Sequence, residues 1–238
     1  MTTFTTEDRI IAEQDGSFTI NLEPNTAVIT TGLAEQGTDA WKIEKLGHVS
    51  AGSVSDILAK GKGGESKMRE SYKWRIISER LTNLVQDSFS NEAMAWGVET
   101  EAEARMTYEM IYGVTVEQTG FVKHPTLQWV GASPDGMIGT DGLIEIKCPH
   151  TKTHLQTIKS DEAPKVYYSQ MQMQMWTMNR KWCDFVSYDP RLPHNLQFFC
   201  KRVERDDEYI ANMEKEVLLF LEEVEVIINN LSGEENGK

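Results

Sequence analysis

The chain has 238 residues, with 24 basic and 37 acidic side chains, a net charge of −13, and 39% hydrophobic against 26% charged residues. That balance suits a globular protein with a sizeable core and excludes the all-over basic surface of many non-specific nucleic-acid binders. It leaves room for a basic groove, because residues 60–80 carry seven Lys or Arg against three Glu, while 204–238 carry eleven acids against three bases. The N-terminus shows no basic and apolar leader pattern, and no apolar run approaches the ~20 residues of a membrane span. Cys148, Cys183 and Cys200 are an odd, widely spaced set. Structural disulfides are not expected, and a reducing cytoplasm is.

In chain order, residues 1–37 are polar and Thr-rich, with one apolar patch at "AVIT". They read as an N-terminal extension holding a short strand. Ser53 is placed to cap a short helix over "VSDILA". "KGKGGESK" (60–67) is a Gly and Lys loop without P-loop spacing. Helical spacing runs from Ile77 through Leu81, Leu84 and Val85 to Phe89. A second helix, about 91–112, carries the stripe Ala93, Gly97, Glu101, Ala104, Tyr108, Ile111. Glu101 thus falls on the core-facing side, where a carboxylate needs a partner or a metal. An edge position paired with an Arg is the plainer alternative.

The period then changes to two over 114–122, 127–133, 135–139 and 143–147. "TDG" (140–142) signals a hairpin. A polar stretch follows "CPH". In "APKVYYSQMQMQMWTMNR" Met alternates with Gln as in a strand, but both residue types favour helices, and a helix is predicted. "WCDFVSYD" and "LQFFCKRV" read as strands, and 206–231 as a long amphipathic helix with an acidic outer face. No repeat or linker divides the chain. The expected layout is one α+β domain, 1–238, built around one sheet, with 204–238 as an acidic helix and tail.

The chemistry concentrates in the hairpin "SPDGMIGTDGLIEIKCPH". Alternation points Ile144 and Ile146 one way and Leu143, Glu145 and Lys147 the other. The turn brings Asp135 opposite residues 145–148. Two carboxylates and the Ile146 carbonyl suit Mg²⁺, which takes hard oxygens and usually keeps water and substrate phosphate as further ligands. Lys147 is placed to orient or deprotonate a water or to hold a phosphate, and its pKa is expected to fall near the cation in a partly dry cleft. The plainer readings are a type I turn at "SPDG" and a surface Glu-x-Lys pair.

The chain resembles the PD-(D/E)XK nuclease superfamily, and within it the phage lambda exonuclease-like, YqaJ-like viral recombinase family. The resemblance rests on six blocks in family order: "AEQGTDAW" with "LGHVSAGSV", "AMAWGVETEAEAR", "ASPDG", "EIKCP", "YYSQMQMQMW" and "YDPR". It implies a restriction-endonuclease-like core with a central mixed sheet flanked by helices. The implied activity is a Mg²⁺-dependent exonuclease, with Mn²⁺ as a substitute, that digests linear duplex DNA from the 5′ end. It leaves a 3′ overhang for phage-type recombination by single-strand annealing. By position, the resemblance makes Asp135, Glu145 and the Ile146 carbonyl metal ligands, Lys147 the catalytic lysine and Glu101 a further acid of the site. Gln170 and Tyr167 match a helix lining that centre, and Ser133 a hydroxyl near the 5′ phosphate. Lys45 stands where the family has Arg, and Ser50-Ala51-Gly52 where it has T-A-S. Ser50 or Ser53 would then supply the hydroxyl. The family also implies a homotrimeric ring around DNA, a single-strand annealing partner and a phage- or prophage-encoded protein in the cytoplasm of a bacterial host.

Three rivals stand beside this reading. A site- or structure-specific endonuclease would use the same core. A non-enzymatic DNA-binding protein would use the hairpin as scaffold. Cys148, His150 and His154 form a compact set that could hold zinc, although no C-x₂-C partner accompanies it.

Overall fold

A computed structural model describes residues 34–86 and 92–233, together with the backbone of strands at 10–12, 18–20 and 29–31; at 92–95 and 98 the backbone alone is described. In chain order the elements are β1 (Ile10–Ala12), β2 (Phe18–Ile20), β3 (Ile29–Thr31), α1 (Asp39–Glu44), β4 (Val49–Ser50), α2 (Val54–Leu58), α3 (Lys67–Thr82), α4 (Glu92–Tyr112), β5 (Val122–Lys123), β6 (Val130–Ala132), β7 (Gly136–Ile138), β8 (Gly142–Lys147), α5 (Thr151–Ser160), α6 (Tyr168–Thr177), β9 (Trp182–Tyr188), β10 (Phe198–Glu204) and α7 (Asp207–Ser232). None of the described helices is long and apolar enough to cross a membrane. The chain forms two compact units, one of 1–86, 119–133 and 211–238, the other of 87–118 and 134–210.

In the first unit, the described strands form a six-stranded sheet in the order β1-β2-β3-β5-β6-β4. Only β4 and β6 pair in parallel. The N-terminal segment therefore contributes three short strands rather than one. α3 begins ten residues before Ile77, because Ser66 Oγ accepts from the Arg69 N–H and caps it. It ends at Asn83, which adopts a left-handed φ of 53°. Leu84 and Val85 lie beyond its end and are exposed, and Phe89 falls outside the described residues. Ser53 does sit at the start of α2, but its hydroxyl makes no capping bond and accepts from Arg75 instead.

On α7, Met213, Val217, Phe220 and Val224 are buried at helical spacing, and Phe220 stacks on Tyr72 of α3. The acidic side of this helix is not simply solvated. Glu223 pairs with Arg69 at 2.8 Å and Lys73 at 2.7 Å, and Glu225 with Arg80 at 2.7 Å. The basic stretch 60–80 is thus partly neutralised by the acidic C-terminal helix.

In the second unit, β10, β9, β8 and β7 form a mixed sheet in that order, with β8 and β9 parallel and the outer pairs antiparallel. The expected run of consecutive strands through 127–147 is therefore split between two sheets, and the chain changes sheet within "SPD". Residues 114–121 are not a strand; Glu117 makes only an isolated bridge to Met137. One face of the four-stranded sheet packs Ile144, Ile146, Val186 and Tyr188 against Ala104 and Tyr108 of α4. Ile111, the last member of the α4 stripe, is exposed instead. The other face meets α5 and α6. Helix α6 is buried on nearly every side, through Met171, Gln172, Met173, Gln174 and Met175. Such a helix has no polar stripe, which is why its Met–Gln alternation imitates a strand. α5 escapes sequence reading because it buries only His154 and Thr157. The mixed sheet with helices on both faces is the α/β arrangement that the resemblance implies.

Candidate active site

The hairpin β7–β8 pairs Gly136 with Ile144 and Ile138 with Gly142. Only glycine fits at 136: a Cβ there would lie 2.1 Å from Val116 Cγ1. This close packing fixes the backbone next to Asp135, whose Oδ2 accepts from the Ile146 N–H at 2.6 Å. Glu145 is 0% exposed. Both of its oxygens are held from α6, by Gln170 Nε2 on Oε1 at 2.6 Å and Gln174 Nε2 on Oε2 at 2.6 Å. These glutamines are four residues apart and share one helix face. Lys147 ion-pairs with Glu145 Oε1. Its ammonium lies 5.3 Å from the Tyr167 ring centroid, and Tyr167 stacks on Phe185 of β9. Glu101 approaches from α4, partly buried, with Arg105 Nη1 at 3.4 Å.

The site carries more negative than positive charge. Burial, and then Glu145, pushes Asp135 well above the usual carboxylate range; Lys147 and, less strongly, the Ile146 N–H oppose this only in part. Burial also raises Glu101, against Arg105 and Lys147 and with Glu145. For Lys147, burial alone would pull the pKa down, but Glu145 and Asp135 outweigh burial and hold it above the ordinary lysine value. Lys147 is therefore an ammonium group here.

Among the described residues, no three His, Cys, Asp or Glu side chains stand together as a ready metal-ligand cluster. The donor set nevertheless fits a hard divalent cation. Two carboxylates flank the Ile146 peptide, a third acid raises their mutual repulsion, and Mg²⁺ needs only one or two carboxylates from the protein. The Cys148–His150–His154 set does not fit zinc. His154 is buried with Nδ1 2.7 Å from Ser187 Oγ and Nε2 2.8 Å from the Leu196 carbonyl oxygen. His150 is exposed, and burial pushes the Cys148 thiol up to about 12.

Lys45, Ser50, Ser53 and Ser133 all belong to the first unit. Lys45 lies over the Trp41 ring, 4.3 Å from its centroid, and the Trp41 indole N–H donates to Ser133 Oγ at 2.9 Å. Ser50 is buried, and its N–H donates to Tyr72 Oη at 3.2 Å. Gln174 was not among the sequence candidates. Its signal was the four-residue spacing from Gln170 on a helix whose polar residues are buried.

Residues 40–181 match the YqaJ-like viral recombinase domain. The chain belongs to that family. The YqaJ-like domain covers the hairpin, Glu101 and the α6 glutamines. Among solved structures, the chain is similar to the alkaline exonuclease LHK-Exo of Laribacter hongkongensis, with 46% identity over 82% of this chain and 96% of that one and a TM-score of 0.77. The structure of LHK-Exo in complex with dAMP matches at 46% identity over the same shares, with a TM-score of 0.76. A phage-related exonuclease from Haemophilus somnus, 16% identical over 77% of this chain and 96% of that one, shares the fold at a TM-score of 0.61. No curated protein sequence matches the chain.

Proposed function

We propose that the protein is a recombination exonuclease that digests one strand of linear double-stranded DNA from the 5′ end and leaves a 3′ overhang. Membership of a viral recombinase family and 46% identity to an alkaline exonuclease support the nuclease activity. The observation that carries the reading is the Asp135–Ile146–Glu145–Lys147 arrangement on one hairpin, clamped by Gln170 and Gln174. LHK-Exo in complex with dAMP is consistent with mononucleotide release.

Asp135, Glu145 and the Ile146 carbonyl would hold Mg²⁺, or Mn²⁺ in its place, with Glu101 as a further acid. When bound, such a cation activates water and steadies charge developing on a phosphate. The protein's own groups supply the rest. Lys147 presents a protonated amine to the phosphate oxygens or the attacking water. The Tyr167 ring restricts that amine's swing, and neutralising the surrounding carboxylates would lower its pKa toward the range of a proton-transfer group. The two glutamines hold Glu145 in one orientation. In the first unit, Lys45, Ser50, Ser53 and Ser133 form the proposed 5′-phosphate set, and Ser133 precedes Asp135 by two positions in the chain. The whole chain would act as one exonuclease domain, in a homotrimeric ring on DNA ends beside an annealing protein, in the host cytoplasm.

Linear duplex labelled at either 5′ or 3′ ends, and a closed circular duplex, test this with Mg²⁺ or chelator. The expected result is early release of the 5′ label as mononucleotide, an intact circle, and a drop of more than about a hundredfold in Glu145→Ala. Cutting of the circle would favour the endonuclease reading. Release that ignores chelator or the substitution would overturn the proposal.

A further inference from the structure

The hairpin makes no use of the "YDPR" run (188–191), which instead ties the end of β9 to α4. Asp189 is fully buried and accepts from Thr151 Oγ1 at 2.6 Å and from the Arg191 N–H, Nε and Nη2 at 3.1, 2.8 and 3.0 Å. A guanidinium held at two of its nitrogens has its plane fixed. Arg191 lies over the Trp96 ring of α4, 4.5 Å from its centroid. The Trp96 indole N–H is buried with no hydrogen-bond partner among the described residues, so the ring is positioned by stacking rather than by a hydrogen bond. Tyr188, the neighbour of Asp189, donates from Oη to Glu103 Oε1 at 2.8 Å. Trp96, Thr100 and Glu103 lie along one flank of α4, at steps of four and three. Thr100 is buried there, and its Oγ1 donates to the Trp96 carbonyl oxygen at 2.7 Å. The end of β9 thus grips this flank on both sides of Glu101, at Trp96 before it and at Glu103 after it.

Glu101 depends on such a grip. Its ion-pair partner Arg105, at 3.4 Å, stands one turn along the same helix and cannot fix it relative to the hairpin. Further along, Tyr108 Oη donates to Asp184 Oδ2 at 2.7 Å and anchors the C-terminal half of α4 to β9. Glu101 follows Thr100 in the helix and projects about 100° round the axis from the gripped flank. Rotation of α4 about its axis therefore decides whether the Glu101 carboxylate faces Asp135 and Glu145, and a hold on the flank fixes that rotation. We infer that Arg191 is a positioning residue of the cation site: anchored on Asp189, it holds Trp96 and so sets the rotation of α4 that aims Glu101. The inference rests on the cation site proposed above and adds to it two residues, Arg191 and Trp96, that touch neither the cation nor the hairpin carboxylates.

The test is the affinity of the full chain for Mn²⁺ without DNA, read from water relaxation, so that cleavage plays no part. Glu101→Gln should weaken binding about tenfold. Trp96→Leu leaves the Asp189–Arg191 pair intact and removes the face on which it rests. Arg191→Lys keeps a positive charge beside Asp189 and removes the planar fork. Each should weaken binding about three- to tenfold, whereas Trp96→Phe, which keeps an aromatic face, should stay within about twofold of the unsubstituted protein. In a Glu101→Gln background, Trp96→Leu and Arg191→Lys should each change the affinity by less than about twofold, because the carboxylate that they aim has lost its charge. Arg191 is 47% exposed in its side chain, so Arg191→Lys should fold, and melting temperatures check both variants. Equal losses in the two backgrounds, or affinity unchanged in both variants while Glu101→Gln weakens it, overturn the role of Arg191 and leave the cation site standing. Affinity unchanged in Glu101→Gln itself overturns the place of Glu101 at the cation, and the inference with it.

Discussion

Gln174→Met is the sharpest probe of how the Glu145 carboxylate is held. The substitution keeps side-chain length and removes the donor to Oε2, 2.6 Å away. A hydrogen bond to a fully buried charge is worth about 2–3 kcal/mol. Against this, Gln174 Oε1 is itself buried with no hydrogen-bond partner, so its removal returns about 1 kcal/mol. The net loss should be about 1–2 kcal/mol. With a urea slope of roughly 3 kcal/mol per M, the unfolding midpoint should fall by about 0.3–0.7 M. The control is the same substitution in a Glu145→Gln background. There the acceptor is neutral, and the loss should shrink to about zero. A midpoint unchanged by Gln174→Met, or an equal loss in both backgrounds, would show that Gln174 does not carry the buried charge.

Other outcomes follow from the same geometry. Gly136→Ala forces a Cβ to 2.1 Å from Val116 Cγ1 and 3.2 Å from Ile144 Cγ2, and should cost about 1–3 kcal/mol of stability by thermal melting. Because Asp135 is the adjacent residue, DNA degradation should fall further than stability does; a stable, fully active variant would refute the argument. Burial pushes both His48 and His124 down from 6.5 to about 4. Their stabilising neutral forms are fully present above pH 6.5, and that stability is lost as pH falls toward 4, by about 2 kcal/mol for each partly exposed ring. A pH titration of unfolding that is flat over this window would contradict it. Arg69 and Lys73 hold Glu223 down at about 2, so its contribution is present above pH 4.5 and lost as pH falls toward 2. Glu223→Gln should cost about 1 kcal/mol at neutral pH, and less in high salt, because the side chain is 42% exposed.

The hairpin was readable because its signals are local. "TDG" sets the turn, alternation sorts Glu145 and Lys147 from the isoleucines, and nine intervening residues bring Asp135 back beside them. Glu101 was readable from α4 periodicity, since one carboxylate interrupts an apolar stripe. What stayed hidden depends on partners far along the chain. Glu223 meets Arg69 across 154 positions, and no helical or strand period encodes that pairing. α5 lacks an apolar stripe and is held through His154 and Ser187. The split between sheets occurs within "SPD", where Ala132 ends one sheet and Gly136 opens the other. Local pattern marks both as strands but does not say which neighbours they pair with.

Binding of Mn²⁺ by the full chain, read from paramagnetic relaxation of water, tests the central claim most directly. Asp135→Asn and Glu145→Gln each remove a hairpin carboxylate charge with little change in shape, and each should weaken binding by at least about tenfold. Mn²⁺ bound with unchanged affinity by both folded variants would contradict a hairpin metal site and the hydrolytic account built on it.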